Sequence, residues 1–223
     1  MAEGTGVAKF PTGIPGFEFI ADGGLPSGRA TLVAGSSGSG KSIFSAQFLV
    51  EGLRQSGHPG VFVTFEEPPD AIRANFESLG WPIGAWEEQG EWAFVDLSAE
   101  EDQPEVAGAY DLGALLPRIE HAVQRVGARR LVIDSLGTLY AQFNDRLLVR
   151  RALGTLMAAV RRLGVTTLVT AERTEEYGPV ARFDVEEFVA DSVILLRNLL
   201  DGDKRRRTIE ILKMRGTSHQ KGE

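Results

Sequence analysis

The residues best suited to chemistry are those from Gly35 to Ser42, which read Gly-Ser-Ser-Gly-Ser-Gly-Lys-Ser. They match the pattern G-x-x-x-x-G-K-[ST] at every position. Glycines let successive backbone N–H groups turn towards phosphate oxygens, and a helix N-terminus adds partial positive charge. Lys41 is expected to reach the β- and γ-phosphates, and the Ser42 hydroxyl is expected to bind Mg²⁺. The predicted nucleotide contacts in this region are Ser37, Gly38, Ser39, Gly40, Lys41, Ser42 and Ile43.

The sequence on either side of this loop decides between a phosphate site and an ordinary Gly/Ser turn. The apolar run Ala30–Ala34 precedes the loop, and the helix-like stretch Ile43–Leu53 follows it. A phosphate-binding loop requires a strand before it and a helix after it. The sequence therefore predicts a site for a nucleoside triphosphate.

Asp134 is a second candidate site residue, and it ends the apolar run Arg130–Asp134. A carboxylate at the carboxyl edge of a parallel sheet can hold Mg²⁺, usually through a water molecule. The alternative is that Asp134 caps the next element, because a turn begins at Ser135. The phosphate loop upstream favours the Mg²⁺ role.

Glu66 and Glu67 follow the strand-like run Gly60–Phe65 and precede two prolines. Carboxylates at the end of a strand are suited to orienting and deprotonating an attacking water. Side chains alternate along an extended chain, so only one of the two is expected to point at a γ-phosphate. The same residues would also favour the N-terminus of a proline-started helix. The residues alone leave both interpretations open.

Strand and helix patterns alternate through most of the chain. The predicted strands after the loop span residues 60–65, 92–96, 130–134 and 165–170. The predicted helices between them have apolar residues at helical spacing and span residues 69–79, 112–126 and 147–163. This alternation predicts an α/β fold with a mostly parallel sheet and helices on both faces.

The pattern changes near the C-terminus, where residues 198–203 join two strand-like runs, 192–197 and 207–213. An Asp-Gly pair between apolar runs indicates a β-hairpin, so an antiparallel edge is expected there. The basic run Lys204–Arg207 lies beside the turn without interleaved aromatic residues. We therefore interpret the run as charges that keep a sheet edge soluble, rather than as a nucleic-acid site.

The composition fits a single domain, predicted as residues 13–223 after an N-terminal tail of residues 1–12. The chain has no cysteine, which excludes disulfides and thiolate metal sites. It has neither a signal-peptide pattern nor an apolar stretch of ~20 residues, so we expect no membrane association and a cytoplasmic location. The net charge of −7 argues against nucleic acid as a partner.

Several stretches carry a resemblance to a known family and together span nearly the whole chain. They are residues 23–29, 35–42, 60–67, 172–179 and 213–223. The phosphate loop is shared by many nucleotidases, whereas the last two stretches are far more specific. The chain resembles the KaiC family, RecA-like ATPases of bacterial circadian clocks and their relatives. It is most similar to the first of the two tandem KaiC ATPase domains.

The resemblance implies a RecA-like fold, with ATP and Mg²⁺ as ligands, and a hexameric ring that holds ATP between subunits. It implies that Glu66 and Glu67 are catalytic and that Ser78 lies near the adenine. The residues implied to reach the nucleotide of a neighbouring subunit are Lys213, Met214, Arg215, Thr217 and His219. Of these, Arg215 would also take part in catalysis. The region Glu105–Asp111 would bind a KaiB-like partner.

The function predicted on this basis is a slow, ring-forming ATPase of KaiC type, acting in a clock or in clock-related signalling. The second ATPase domain, where KaiC carries its autophosphorylation sites, does not occur in these residues, so autokinase activity is not expected. The chain is expected to be either a first domain or a single-domain relative. The alternatives are a DNA-dependent recombination ATPase like RecA or RadA and a nucleotide-dependent scaffold with negligible hydrolysis.

Overall fold

The computed structural model describes residues 7–98, 112–137, 146–178, 180 and 190–220. Its strands are β1 (Lys9–Phe10), β2 (Leu25–Pro26), β3 (Ala30–Gly35), β4 (Gly60–Thr64), β5 (Trp92–Asp96), β6 (Arg130–Asp134), β7 (Thr166–Glu172), β8 (Ser192–Asp201) and β9 (Lys204–Met214). Its helices are α1 (Phe17–Ile20), α2 (Lys41–Ser56), α3 (Pro69–Glu77), α4 (Ile83–Glu88), α5 (Leu112–Val126) and α6 (Arg146–Leu163).

These residues form a seven-stranded sheet in the order β5-β4-β6-β7-β3-β8-β9. Neighbouring strands are parallel except for the last pair, β8 and β9, which is antiparallel. The predicted α/β fold, with a mostly parallel sheet and an antiparallel C-terminal edge, is confirmed.

The central strands are apolar because both faces of the sheet are covered. Successive side chains of a strand point to opposite faces. On one face Val61 and Ile133 belong to a core that includes residues of α5 and α6. On the other face Phe62 and Val132 share a core with residues of α2, including Phe48. Burial on both sides explains the nearly continuous apolar runs that the sequence shows.

The register of the strands brings the ends of four of them to one edge. Thr64 of β4 lies opposite Asp134 of β6, and Gly35 of β3 lies opposite Glu172 of β7. Parallel strands that pair in this way present their following loops side by side, which is where α/β proteins bind ligands.

The C-terminal hairpin is longer than the sequence predicts. Its turn is Gly202–Asp203, so the basic run Lys204–Arg207 follows the turn directly, as predicted, but forms the start of β9. Backbone pairing with β8 continues to the last pair, Asp201 with Lys204. This pairing keeps the charged residues in a strand, although such residues do not favour strands by themselves. The four basic side chains are exposed at the edge of the sheet.

The N-terminal residues pack on the domain, although the sequence assigns residues 1–12 to a tail. Strand β1 pairs with β2, and both Phe10 and Thr12 are buried. The buried Arg130 side chain donates hydrogen bonds to the carbonyl oxygens of Thr12 at 2.6 Å and Pro11 at 2.8 Å. The folded region therefore extends to the N-terminal side of residue 13.

Candidate functional site

The phosphate loop connects the buried strand β3 to α2, which begins at Lys41. Gly40 precedes the helix with φ 97°, a left-handed conformation that favours glycine. A Cβ added to Gly35 would lie 2.6 Å from the carbonyl oxygen of Leu196 on β8. The loop therefore needs glycine for two separate reasons, conformation at Gly40 and close approach at Gly35. This glycine-lined cradle at a helix N-terminus fits a phosphate group.

Lys41 lies against the loop that precedes it. Its Nζ donates to the carbonyl oxygens of Gly35 and Ser36, both at 3.0 Å. Burial lowers the pKa of Lys41, and nearby carboxylates act in the opposite direction. These carboxylates are Glu172, Asp134, Glu66 and Glu176. So many acids beside a triphosphate would repel it, and a bound divalent cation is the natural compensation.

Asp134, at the end of β6, faces the start of α2. Its carboxylate accepts a hydrogen bond from Thr170 Oγ1 and another from the Ser42 side chain. Burial raises the pKa of Asp134, and both hydrogen bonds act against that shift. The peptide bond from Asp134 to Ser135 is cis. The structure thus brings the two predicted Mg²⁺ residues, Ser42 and Asp134, into contact.

Glu66 and Glu67 are both exposed just beyond β4 but face different neighbours. Glu66 Oε1 accepts a 2.6 Å hydrogen bond from Ser135 Oγ, which follows Asp134 directly. Glu67 Oε2 lies 3.4 Å from the amide Nδ2 of Asn75 on α3. No side chain makes a capping hydrogen bond to α3, whose N-cap is Pro68, so any contribution of the two carboxylates to this helix would come from their charge. A shared cavity of about 240 Å³ is lined by Ser42, Ile43, Thr64, Glu66, Glu67 and Asp134, among others.

Ser78 lies beyond the cavity, at the C-terminal end of α3. It is exposed, and its Oγ donates to the carbonyl oxygen of Asn75 at 2.7 Å. Asn75 itself lines the cavity. Ser78 is thus about one helical turn from a residue that lines the cavity and does not line it itself.

The residues implied to act on a neighbouring subunit lie at the opposite end of the sheet. Met214 of β9 pairs with Ser192 of β8, which pairs with Thr31 near the start of β3. The phosphate loop begins after Gly35, four residues further along β3 and therefore about 13 Å away. The Arg215 backbone also lies at this end, because its N–H donates to the carbonyl oxygen of Asp191, whose own N–H donates to that of Ala30.

Lys213 and Arg215 are two residues apart, a spacing that would place them on one face of a strand. Lys213 Nζ donates to the carbonyl oxygen of Ala190 at 2.9 Å, whereas Arg215 lies beyond the end of β9. The two therefore do not share a strand face. The Met214 side chain is buried in the core. Arg215 is exposed, and Thr217 and His219 are half-buried.

Glu176 contacts the phosphate loop, although no role was predicted for it. Its carboxylate accepts hydrogen bonds from Ser36 Oγ and from the backbone N–H of Asn198 at 3.2 Å. The Arg197 guanidinium donates to the Glu176 carbonyl oxygen at 2.5 Å. Ser36 and Glu176 lie far apart in the chain, so no local pattern indicates that they meet. Glu176 is marked in the sequence only as part of the stretch 172–179, which carries the family resemblance.

Three expectations concern metals, membranes and the Glu105–Asp111 region. In the described ranges, no three His, Cys, Asp or Glu side chains are grouped so as to hold a metal ion. A nucleotide-bound Mg²⁺ needs fewer protein ligands, since phosphates and water supply the others. None of the described helices combines the length and apolar character needed to span a membrane. Glu105–Asp111 lies outside the described residues.

Comparison with known proteins identifies the family. A family model described as "ATPase: KaiC" matches residues 10–223. Circadian clock protein KaiC3 of Synechocystis is 59% identical over 222 residues, which cover 99% of this chain and 44% of that protein. Circadian clock oscillator protein KaiC of Synechococcus elongatus is 50% identical over 222 residues, covering 100% of this chain and 43% of that protein. The chain spans less than half the length of these relatives, and it belongs to the KaiC family of ATPases.

Proposed function

We propose that this chain binds ATP with Mg²⁺ at the phosphate loop and hydrolyses it slowly to ADP and phosphate. The observation that carries the proposal is the meeting of Lys41, Ser42, Asp134 and Glu66 at one edge of the sheet. A cation and a helix N-terminus suit the phosphates, while carboxylates beside them suit a hydrated metal ion and a water nucleophile.

Each side chain has a distinct task in this proposal. The loop residues Ser37 to Ile43 hold the phosphates, with Lys41 supplying the positive charge. Ser42 and Asp134 hold the metal ion, Asp134 through water. Bound Mg²⁺ would neutralise charge that develops on the phosphate oxygens. Ser78 would lie near the adenine.

Glu66 and Glu67 would orient and deprotonate the attacking water. The 2.6 Å hydrogen bond from Ser135 orients the Glu66 carboxylate towards the Asp134 side of the cavity. Glu67 is tied instead to Asn75 on α3. The two carboxylates are thus anchored to different elements, so one can hold the water while the other accepts its proton.

The separation of the two groups of residues supports assembly into a ring. The end of β9 and Arg215 lie at the end of the sheet away from the phosphate loop of their own chain, so Lys213, Arg215, Thr217 and His219 would reach ATP bound by a neighbour. Met214, whose side chain is buried, would not contribute that side chain. Arg215 would then stabilise charge on the γ-phosphate in the transition state. ATP held between subunits would favour a hexameric ring by mass action.

The physiological role is proposed from the relatives, which are named as circadian clock proteins. Nucleotide-dependent changes in subunit contacts would alter affinity for a partner, a KaiB-like protein at the Glu105–Asp111 region. A cytoplasmic site of action is part of this proposal. Autokinase activity is not.

Phosphate release, measured with and without single-stranded DNA, tests the reaction. Slow release that DNA does not change is expected, and the Glu66→Gln/Glu67→Gln variant should lack it. Release that DNA strongly stimulates would instead indicate a recombination ATPase. Tight ATP binding without release would indicate a scaffold.

Light scattering tests the assembly. ATP should convert wild-type protein to a larger species, and Arg215→Ala should weaken both this conversion and hydrolysis. A chain that stays monomeric in saturating ATP would overturn the ring.

A further inference from the structure

The segment from Arg215 to Gln220 follows the end of β9 and contains no helix or strand. It carries three of the residues proposed to reach a neighbour's nucleotide: Arg215, Thr217 and His219. Within the segment, Gly216 has φ 77°, and a Cβ there would lie 2.7 Å from Cγ2 of Val7. The segment is therefore packed directly on the N-terminal residues of the same chain.

Lys9 makes the most extensive of these contacts. Its Nζ donates to the carbonyl oxygen of Ser218 at 2.9 Å and to that of Ala21 at 2.5 Å. It also lies 3.2 Å from Met214 Sδ and 3.3 Å from the Gly24 carbonyl oxygen. One ammonium group thus joins β1, the turn after α1, the end of β9 and the segment beyond it.

A second set of contacts comes from α1 and the turn that follows it. Ser218 Oγ donates to the Asp22 carboxylate, and the Gln220 backbone N–H donates to the Ile20 carbonyl oxygen at 2.8 Å. Asp22 has φ 50°, in a turn fixed by pairing between β1 and β2. Gly24 of that turn contacts the Phe10 backbone so closely that no Cβ would fit. The support for Ser218 and Gln220 is therefore rigidly built.

Burial lowers the pKa of Lys9, and the Asp22 carboxylate acts against that shift. The ammonium is therefore partly withdrawn from water, and its hydrogen bonds to carbonyl oxygens compensate for the lost hydration. A lysine in such a position differs from an ordinary surface lysine, whose contacts contribute little.

We infer that Lys9 and Asp22 are positioning residues for the half of the nucleotide site that each subunit offers to its neighbour. They hold residues 215–220 in the conformation that presents Arg215, Thr217 and His219. A segment without helix or strand would otherwise have to be ordered during assembly, which costs affinity. This inference rests on the proposed function, since it assumes that these residues act on a neighbouring subunit.

The first test is hydrogen exchange on the unassembled subunit. Lys9→Met removes the donors and retains a side chain of similar length. Backbone amides within residues 215–220 should then exchange on the order of tenfold faster, corresponding to the loss of about one charge-assisted hydrogen bond, which Lys9 Nζ donates to Ser218. Lys204→Met, at the exposed edge of β9, is the matched control and should leave these amides unchanged. Unchanged exchange in Lys9→Met would overturn the inference.

The second test compares ATP-dependent assembly, measured by light scattering, with the ATP affinity of the isolated subunit. The Lys9→Met variant should assemble only at a higher protein concentration than wild type, while the ATP affinity of its isolated subunit stays unchanged. Ser218→Ala removes only the hydrogen bond to Asp22 and should act in the same direction more weakly. If Lys9→Met fails to fold, as judged by circular dichroism, Ser218→Ala decides the outcome in both tests.

Arg215→Ala separates failure of the inference from failure of the proposed function. If Arg215→Ala weakens assembly and neither Lys9→Met nor Ser218→Ala does, the positioning role is wrong and the intersubunit site stands. If Arg215→Ala also leaves assembly unchanged, the intersubunit site itself is wrong.

Discussion

Lys41 is the side chain whose removal should most directly affect nucleotide binding. Lys41→Ala should weaken ATP binding on the order of a hundredfold or more, because charge-assisted hydrogen bonds to phosphate are lost. The fold should persist, since α2 is held to the sheet by other side chains, such as Phe48 and Leu49. Isothermal titration measures the affinity, and circular dichroism checks the fold. Wild-type affinity in this variant would contradict the phosphate-loop assignment.

Glu66 and Glu67 should matter for hydrolysis and not for binding. Gln at both positions retains size and polarity but removes the base, so hydrolysis should fall on the order of a hundredfold or more while ATP still binds. Phosphate release and isothermal titration on the same preparation separate the two effects. Each single variant then reports which carboxylate accepts the proton. Turnover equal to wild type in the double variant would leave the pair with a structural role only.

The residues of the candidate site were predictable from sequence where the motif is local. Lys41 and Ser42 follow from one octapeptide, and Asp134 and the Glu pair follow from acids at strand ends. Glu176 and Thr170 were not predictable in this way, because they meet Ser36 and Asp134 only through the order of strands in the sheet. One sequence does not specify that order.

At the scale of elements, Arg130 joins the N-terminal segment to the sheet. Its guanidinium lies over the Phe10 ring, 4.9 Å from the centroid, and over the Phe48 ring at 4.6 Å. Arg130→Met leaves carbonyl oxygens of the segment unpaired and should cost ~3 kcal/mol of unfolding free energy. Urea denaturation measures this loss. The exposed neighbour Arg129 is the control, and Arg129→Met should change stability by less than ~0.5 kcal/mol.

His58 gives the same region a dependence on pH. Its ring stacks on Phe10, with centroids 5.3 Å apart, and burial together with the charges of Arg130 and Arg129 lowers its pKa. The unfolded chain therefore binds the proton more readily than the folded one. The contribution of His58 to the free energy of unfolding should be constant above the ordinary histidine pKa. It should decrease as the pH falls through that pKa towards the lowered pKa of His58 in the folded protein.

Urea denaturation near neutral pH and at about pH 5.5, one unit below the ordinary histidine pKa, measures this fall. His58→Phe keeps a stacking ring without the titration, so it should lose less stability over the same interval. His121→Phe, at an exposed position of α5, is the matched control. Equal losses in wild type and His58→Phe would contradict the prediction.

The longer elements were predictable because periodicity needs length. Helix α5 and strands β5 and β6 have the predicted bounds, and α2 and α6 differ from the prediction only at their ends. The elements β1, β2, α1 and α4, of two to six residues, were missed, since they show neither a detectable period nor the apolar run that identified β5 and β6. The length of the β8–β9 hairpin was also missed, because ladder pairing overrides the composition of Lys204–Arg207.

At the scale of the whole molecule, the sheet separates two chemical functions. The edge after β3, β4 and β6 carries the phosphate loop and the carboxylates. The opposite end carries Lys213, Arg215 and the segment supported by Lys9. If Arg215 acts on a neighbour's nucleotide, as proposed, neither surface completes the other within one subunit.

This separation has a consequence for mixtures of inactive proteins. Contact between unlike surfaces is heterologous, so every junction takes its phosphate loop from one subunit and its arginine from the next. Lys41→Ala and Arg215→Ala are each expected to be inactive alone. An Arg215→Ala subunit still has Lys41, and a Lys41→Ala subunit still has Arg215. A junction with the loop from the first and the arginine from the second is therefore intact. Random mixing in equal amounts creates such junctions about a quarter of the time.

Complementation is therefore expected, with at most about a quarter of wild-type phosphate release from the mixture and none from either variant by itself. The measurement uses subunits mixed before ATP is added, so that rings form from both kinds. Two inactive variants that stay inactive together would place Lys41 and Arg215 at a site within one chain. Recovery of activity would mean that the smallest unit able to complete a turnover is a junction, never a subunit.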